Sequence, residues 1–202
     1  MIERLAQAAR RPVSRETVER LESYVAMLKD ENRRQNLVSA STIESIWERH
    51  ILDSAQMLRF ESSDGASWAD IGSGAGLPGI VIACLADGPV TLIEPRRLRA
   101  AFLGEVIDKL GLRATVQPVK AERATGSYDM ICARAVAPLW KLLKISHHLS
   151  TGKTTWALPK GKSAQTELAE AKRRWHGVFH VEQSFTDPCS FMVVARNVEA
   201  RG

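Results

Sequence analysis

Asp70-Ile71-Gly72-Ser73-Gly74-Ala75-Gly76-Leu77-Pro78-Gly79 is the stretch on which the reading of this chain turns. It follows an apolar run of strand character at 68–71 and opens a helical pattern at 77–86, with Pro78 in the first turn. Four glycines in eight positions let the backbone turn tightly and let a ligand approach without meeting a Cβ. The next strand-like run, 90–94, ends at Glu94, 22 residues after Gly72. A carboxylate at the end of a second strand is placed to accept the ribose hydroxyls of a nucleoside.

Outward from this loop, short apolar runs alternate with helical patterns. Strands are expected at 114–116, 128–133 and 155–158. Helices are expected at 97–110, closed by Gly111, and at 139–149, closed near Gly152. Such alternation predicts a doubly wound parallel sheet. A charged helix at 163–175 and two further strands, 178–181 and 191–195, follow. Residues 184–190 between them are short enough for a hairpin, which makes the last strand antiparallel. Upstream, residues 1–60 read as helical. Ser14 caps a helix with Val18, Leu21, Val25 and Leu28 at helical spacing. Ser41-Thr42-Ile43-Glu44 has the form of a capping box before a helix burying Ile43, Ile46, Trp47, Ile51, Met57 and Leu58. Residues 61–65 read as a turn. The expected organisation is one domain over 1–202, with a helical cap (1–65) packed on an α/β core (66–202).

The composition bounds the rest. The 202 residues are 45% hydrophobic and 25% charged, which excludes collagen, low-complexity disorder and a coiled-coil rod. No apolar run approaches the roughly 18 residues that span a bilayer. Met1-Ile2-Glu3-Arg4 lacks the apolar region of a secretory signal, so a cytoplasmic location and no membrane partner are expected. The net charge of +5 permits a polyanionic partner without requiring one. Cys84, Cys132 and Cys189 are widely spaced, with no Cys-x-x-Cys, and read as reduced structural thiols. No metal site is expected.

The nucleoside is the open question. Residues 74–79 match G-x-G-x-x-G, so a nicotinamide cofactor competes. Asp70 argues against it, because a carboxylate beside the loop would repel a pyrophosphate. It suits the amino group and sulfonium of S-adenosylmethionine instead. The fingerprint glycines also come late relative to the strand end. Arg134-Ala135-Val136-Ala137-Pro138 follows the fourth strand where an amine methyltransferase would carry Asn-Pro-Pro-Tyr or Asp-Pro-Pro-Tyr. Pro188-Cys189 lies in the last hairpin, far from that loop, which argues against a cytosine-C5 nucleophile.

Four stretches together resemble the bacterial 16S rRNA guanine-N7 methyltransferases, the glucose-inhibited division protein B family. They are Asn36-Leu37 with His50-Ile51-Leu52-Asp53-Ser54, the glycine loop with its Leu77-Pro78-Gly79 extension, Arg134-Ala135, and Lys160-Gly161. The resemblance spans roughly residues 15–195. It implies a seven-stranded Rossmann-like methyltransferase sheet and S-adenosylmethionine as donor. It further implies methylation of N7 of one guanine in the decoding-region loop of 16S rRNA. By position, the family's cofactor contacts fall on Gly72, Leu77, Ala121-Glu122 and Arg134, which join Gly74 and Glu94 of the loop reading. The segment departs from the family's pattern at Leu98, where a basic residue is usual, although Arg96, Arg97 and Arg99 keep it basic.

Guanine N7 carries a lone pair and no proton, so no general base is expected. Asn36, His50, Asp53 and Lys160 are the candidate substrate contacts. Each has a plainer reading: Asn36 as a helix cap or turn, His50 and Asp53 as a network holding the cap, Lys160 in a solvated loop. The expected partner is 16S rRNA or the small ribosomal subunit, and the expected state a monomer. Methylation of another acceptor, or non-catalytic cofactor and rRNA binding, are the alternatives. Lys172-Arg173-Arg174 reads as a solvated helix face, Arg10-Arg11 as a frayed terminus or loose phosphate-binding arm, and His147-His148 as a helix end. Trp68, Trp140 and Trp156 read as core.

Overall fold

The computed structural model describes residues 1–202, the side chains of Ala40 and Ser41 apart. Its strands are β1 (Trp68–Ile71), β2 (Val90–Ile93), β3 (Ala114–Gln117), β4 (Met130–Ala133), β5 (Thr155–Lys160), β6 (Trp175–Gln183) and β7 (Phe191–Ala200). They form one sheet in the order β3-β2-β1-β4-β5-β7-β6. The first five are parallel, and β7 runs antiparallel between β5 and β6. All four residues of both β1 and β4 are buried, as parallel strands covered on both faces require.

Alternate residues serve alternate layers. Trp68, Leu92, Met130 and Cys132 join one core with Leu5, Leu21, Leu28, Ile80 and Leu103. These come from α1 (Ile2–Ala9), α2 (Arg15–Gln35), α5 (Gly79–Leu85) and α6 (Arg97–Leu110). Ile71, Ile93, Ile131 and Trp156 join the other with Leu142, Leu143 and Leu168 from α7 (Leu139–Ser146) and α8 (Ala164–Lys172). The N-terminal helices thus share their core with the sheet.

Helix α2 starts as its sequence dictates. Ser14 Oγ accepts a hydrogen bond from the Thr17 backbone N–H at 3.0 Å, and the stripe Val18, Leu21, Val25, Leu28 is buried. Beyond it the expected long helix is replaced by a run of changing pitch. Helix α3 (Ala40–Glu44) begins after Ser39, and Ser41 of the expected capping box lies outside the described side chains. A wide π-helical turn (Trp47–Leu52), α4 (Asp53–Ala55) and a 3-10 turn (Gln56–Phe60) follow. The reason is packing. Ile51 and Leu52, and then Met57 and Leu58, are buried as consecutive pairs, which one regular helical stripe facing one core does not do.

Other expectations are corrected. Arg11 is neither frayed nor a loose arm: it pairs with Glu61 and donates to Leu85 O at 3.3 Å. Helix α8 ends at Lys172 rather than at Trp175, because Trp175 is buried and opens β6 opposite Ala200. Trp140 is only half-buried, with the Arg174 guanidinium 4.3 Å above its ring. Cys189 is exposed in the β6–β7 hairpin, whereas Cys84 and Cys132 are buried. The histidine pair forms bonds of its own: His147 Nε2 meets Val198 O at 2.8 Å and His148 Nε2 meets Ala124 O at 3.0 Å.

Candidate active site

The strand order reverses direction between β1 and β4, and the carboxyl ends of these two strands frame the site. The glycine loop leaves β1 and residues 134–138 leave β4. Gly72 N–H and Ser73 N–H both donate to Ile93 O, at 2.8 and 3.1 Å, which ties the loop to the end of β2. Tyr24, fully buried on α2, donates from its hydroxyl to Ala75 O at 3.0 Å and fixes the loop from above.

The loop's outer face lines a groove of about 350 Å³. Gly72, Gly74, Leu77, Glu94 and Arg134 all border it, together with Leu37, Val38 and Arg99. Gly72 has φ +70°, and a Cβ there would fall 2.7 Å from Val136 Cγ2. Val136 packs where that Cβ would be, so glycine is required both by the left-handed backbone and by the side chain across the groove. Glu94 is 4% exposed, with Oε2 accepting from Gly74 N–H at 2.9 Å and Oε1 from Arg96 N–H at 2.8 Å. A carboxylate offers about four lone-pair positions, so acceptor capacity remains for ribose hydroxyls. These residues fit S-adenosylmethionine: glycine backbone bordering the groove, an acid at the second strand's end and apolar Leu37, Val38 and Leu77.

Three sequence candidates are placed elsewhere. Ala121 is buried in the second core and Glu122 is exposed, on the 3-10 turn after β3, and neither borders the groove. Asn36 is exposed and ends α2 in a left-handed conformation, the cap reading. Asp70 also departs from expectation. It does not face the groove but lies fully buried beneath the loop, where Oδ2 accepts from Gly79 N–H at 3.0 Å. Only glycine fits at 79, since a Cβ would sit 2.2 Å from Leu92 Cδ2 and 2.5 Å from that oxygen. Burial raises the Asp70 pKa from 3.8 to about 6, against the lowering pull of Ser73, Gly79 and Arg134.

A second cavity, of about 580 Å³, opens on the other side of residues 134–136, so Arg134, Ala135 and Val136 form a wall common to both spaces. Asp53, Gln56, Lys160 and Glu167 supply its polar lining; Pro138, Pro159, Phe191 and Met192 supply apolar surface. Lys160 Nζ bonds Ala137 O at 3.1 Å and pairs with Glu167 at 2.8 Å, and Glu167 also accepts from Leu139 N–H at 2.9 Å. This brace holds the wall in place. Arg134 Nη1 lies 3.4 Å from Arg49 O and 3.6 Å from Asp53 Oδ2. Burial lowers the Arg134 pKa and raises that of Asp53, each shift opposed by the other's charge.

His50 stands one helical turn before Asp53, and both border a third space of about 620 Å³ beside the β6–β7 hairpin. Among the described residues neither His50 ring nitrogen has a hydrogen-bond partner, although both are buried. Desolvation, with Arg134 and Arg49 nearby, lowers its pKa to about 4, so the ring is neutral at pH 7. Among the described residues no group of three or more His, Cys, Asp or Glu is arranged to hold a metal ion, and no helix is long and apolar enough to cross a membrane.

Sequence reasoning overlooked Tyr24, Gln56, Ser184 and Thr186. Tyr24 continues the stripe three residues after Leu21, a signal that was present. The hairpin residues reach Asp53 only through the tertiary fold.

Comparison with known proteins bears on this arrangement. The profile of GidB, rRNA small subunit methyltransferase G, matches residues 17–190. Ribosomal RNA small subunit methyltransferase G of Zymomonas mobilis is 42% identical over 94% of this chain and 90% of its own length. The protein of the same name from Novosphingobium aromaticivorans is 47% identical over 89% and 80%. Among solved structures, an Aquifex aeolicus SAM-dependent methyltransferase aligns at TM-score 0.59 and 17% identity, covering 78% of this chain and 98% of its own. A mutant of MtNAS in complex with S-adenosylmethionine aligns at TM-score 0.59 and 16% identity, over 87% and 75%. These last two share the fold. With the match running from α2, which holds the loop, to the hairpin that closes on Asp53, the chain belongs to the GidB family of S-adenosylmethionine-dependent methyltransferases, rRNA small subunit methyltransferase G.

Proposed function

We propose that this enzyme methylates N7 of a single guanine in 16S rRNA, presented by the small ribosomal subunit, and that it works as a monomer without metal. The observation that carries the acceptor chemistry is the state of the acids beside the shared wall. Of the four acids that line the two spaces, three are tied as acceptors: Glu94 accepts from two backbone amides, Asp53 from three side chains, and Glu167 from Lys160, Ser163 and Leu139, while Glu170 is exposed to solvent. The three serve as fixed hydrogen-bond acceptors. Guanine N7 has an in-plane lone pair and no proton, so it asks no base of them. S-adenosylmethionine, held by Gly72, Gly74, Leu77, Glu94 and Arg134, would supply an electrophilic methyl on a sulfonium whose sulfur is a neutral leaving group. The chain's contribution is to bring the two reactants into contact at the edge of residues 134–136, which border both spaces.

In this reading Gly72, Gly74, Leu77, Glu94 and Arg134 hold the cofactor; Ala121 and Glu122, one strand over from Glu94 and outside the groove, serve its adenine end only if that end extends past Glu94. Asn36, His50, Asp53 and Lys160 serve the RNA side. The names borne by the relatives support the substrate class. The Hoogsteen edge of a guanine is accessible in loops and unstacked bases, where sequence-specific RNA recognition operates.

The test is incubation with methyl-labelled S-adenosylmethionine and small subunits from cells lacking the activity, followed by mapping of the labelled nucleotide. Label on N7 of one guanine is the expected result. Label on another atom or on protein, or none with cofactor binding intact, overturns it. Comparable activity on deproteinised rRNA would overturn the requirement for an assembled subunit.

A further inference from the structure

The two oxygens of Asp53 are unequally provided for. Oδ1 accepts from Gln56 Nε2 at 2.7 Å, Thr186 Oγ1 at 3.0 Å and Ser184 Oγ at 3.4 Å. Oδ2 faces the Arg134 guanidinium alone among the described residues, in an ion pair whose Nη1 stands 3.6 Å away, long for a hydrogen bond. One oxygen is saturated, while the other, held by a long ion pair, keeps the capacity to accept a shorter hydrogen bond. Asp53 and Arg134 both line the cavity of about 580 Å³, and Arg134 alone of the two also lines the glycine-loop groove. The order across the site is therefore groove, Arg134, Asp53.

Guanine carries its groups in a matching order. N7 is followed by O6, an acceptor, then by N1–H and the 2-amino group, both donors. We propose that Asp53 Oδ2 accepts from N1–H and the 2-amino group of the target guanine while Arg134 donates to O6, so that the pair selects guanine and points N7 toward the groove. This rests on the N7 reading above. Adenine presents a donor where Arg134 donates and an acceptor where Asp53 accepts, so both contacts invert. Phe191, Pro138 and Pro159 offer the apolar surface for the ring faces. The pair also has no net charge, which suits a base that gains one positive charge: Asp53 offsets Arg134 beside it.

The test uses the full-length enzyme and small subunits reconstituted with either guanosine or inosine at the mapped position. Inosine keeps N7, O6 and N1–H and lacks only the 2-amino group. For the wild type, kcat/KM should fall about 10- to 100-fold on inosine, the scale of one hydrogen bond to a charged group. Asp53→Asn keeps an oxygen for Gln56, Ser184 and Thr186 and turns the other into a donor. It should be slow on guanosine, with unchanged affinity for S-adenosylmethionine, and the inosine penalty should vanish. Asp53→Ala, checked for its melting temperature, should likewise lose the penalty. Equal wild-type rates on guanosine and inosine would overturn the proposal, as would an undiminished penalty in both variants. Failure of the wild type to methylate guanosine subunits at N7 would instead overturn the underlying reading.

Discussion

Glu94 and Gly74 are bonded to each other: the acid at the end of β2 accepts the loop's own N–H at 2.9 Å. The residue read as a ribose contact is thus also part of what shapes the loop. Its second oxygen takes Arg96 N–H at 2.8 Å, at the start of α6. One side chain therefore links β2, the glycine loop and α6.

Glu94→Gln exposes this double role. An amide has one acceptor oxygen, and its NH2 would face a backbone N–H. S-adenosylmethionine affinity should weaken about 10- to 100-fold, from loss of charge-assisted bonds worth about 1.5–3 kcal/mol. Isothermal titration reads this directly. Unaltered affinity would remove Glu94 from the cofactor site.

Gly72 is constrained twice, by φ +70° and by Val136 2.7 Å from where a Cβ would lie. Gly72→Ala should cost about 1–2 kcal/mol from the left-handed backbone alone. Gly72→Asp should abolish cofactor binding, because its carboxylate must displace Val136 or enter the groove. In the double variant with Val136→Ala the steric part should be relieved and the backbone part should remain. Thermal melting separates the two contributions. Full recovery in the double variant would show that the backbone strain is negligible.

Asp70 gives a pH signature. Its folded pKa of about 6 lies above the usual 3.8 because burial disfavours the charge. Its contribution to stability is therefore fully present below about pH 3.8 and is lost as pH rises through about 6. Asp70→Asn retains an acceptor for Gly79 N–H and cannot ionise. Relative to wild type, the variant should gain stability from pH 4 to pH 8, by on the order of 3 kcal/mol. Melting curves across that range test it. A constant gap would mean that the folded pKa of Asp70 is not raised above its unfolded value.

These cases show what the sequence conveys. Strand β1 and helix α6 lie where their patterns put them, because local signals (an apolar run, Gly111 as a helix stop) coincide with tertiary demand. The antiparallel last strand was legible from the short hairpin segment. Asp70 was legible as unusual but not as buried: the motif shows that an acid precedes the glycines, not which way it points. Residues 45–60 read as one helix because their apolar spacing averages to a helical period, while burial on more than one side selects changes of pitch. The clasp of Ser184 and Thr186 on Asp53 links residues more than 130 positions apart and leaves no local trace.

Tyr24 is where a legible stripe and an unread function meet. Its hydroxyl, fully buried, donates to Ala75 O at 3.0 Å, and a Cβ on Gly76 would lie 3.2 Å from it. Burial holds its pKa well above the usual tyrosine value, so it stays a donor throughout the working range. Tyr24→Phe keeps the ring in the core and leaves the Ala75 carbonyl without that donor. The cost should be about 1–2 kcal/mol, the penalty of a buried unsatisfied carbonyl. That corresponds to a melting temperature lower by about 2–8 °C in a chain of this size. If the hydroxyl serves only stability, S-adenosylmethionine affinity will be unchanged once measured below the melting range. If it also sets the loop's shape, affinity will fall severalfold while saturating cofactor restores stability by mass action. A variant with wild-type melting and affinity would show that the bond contributes to neither.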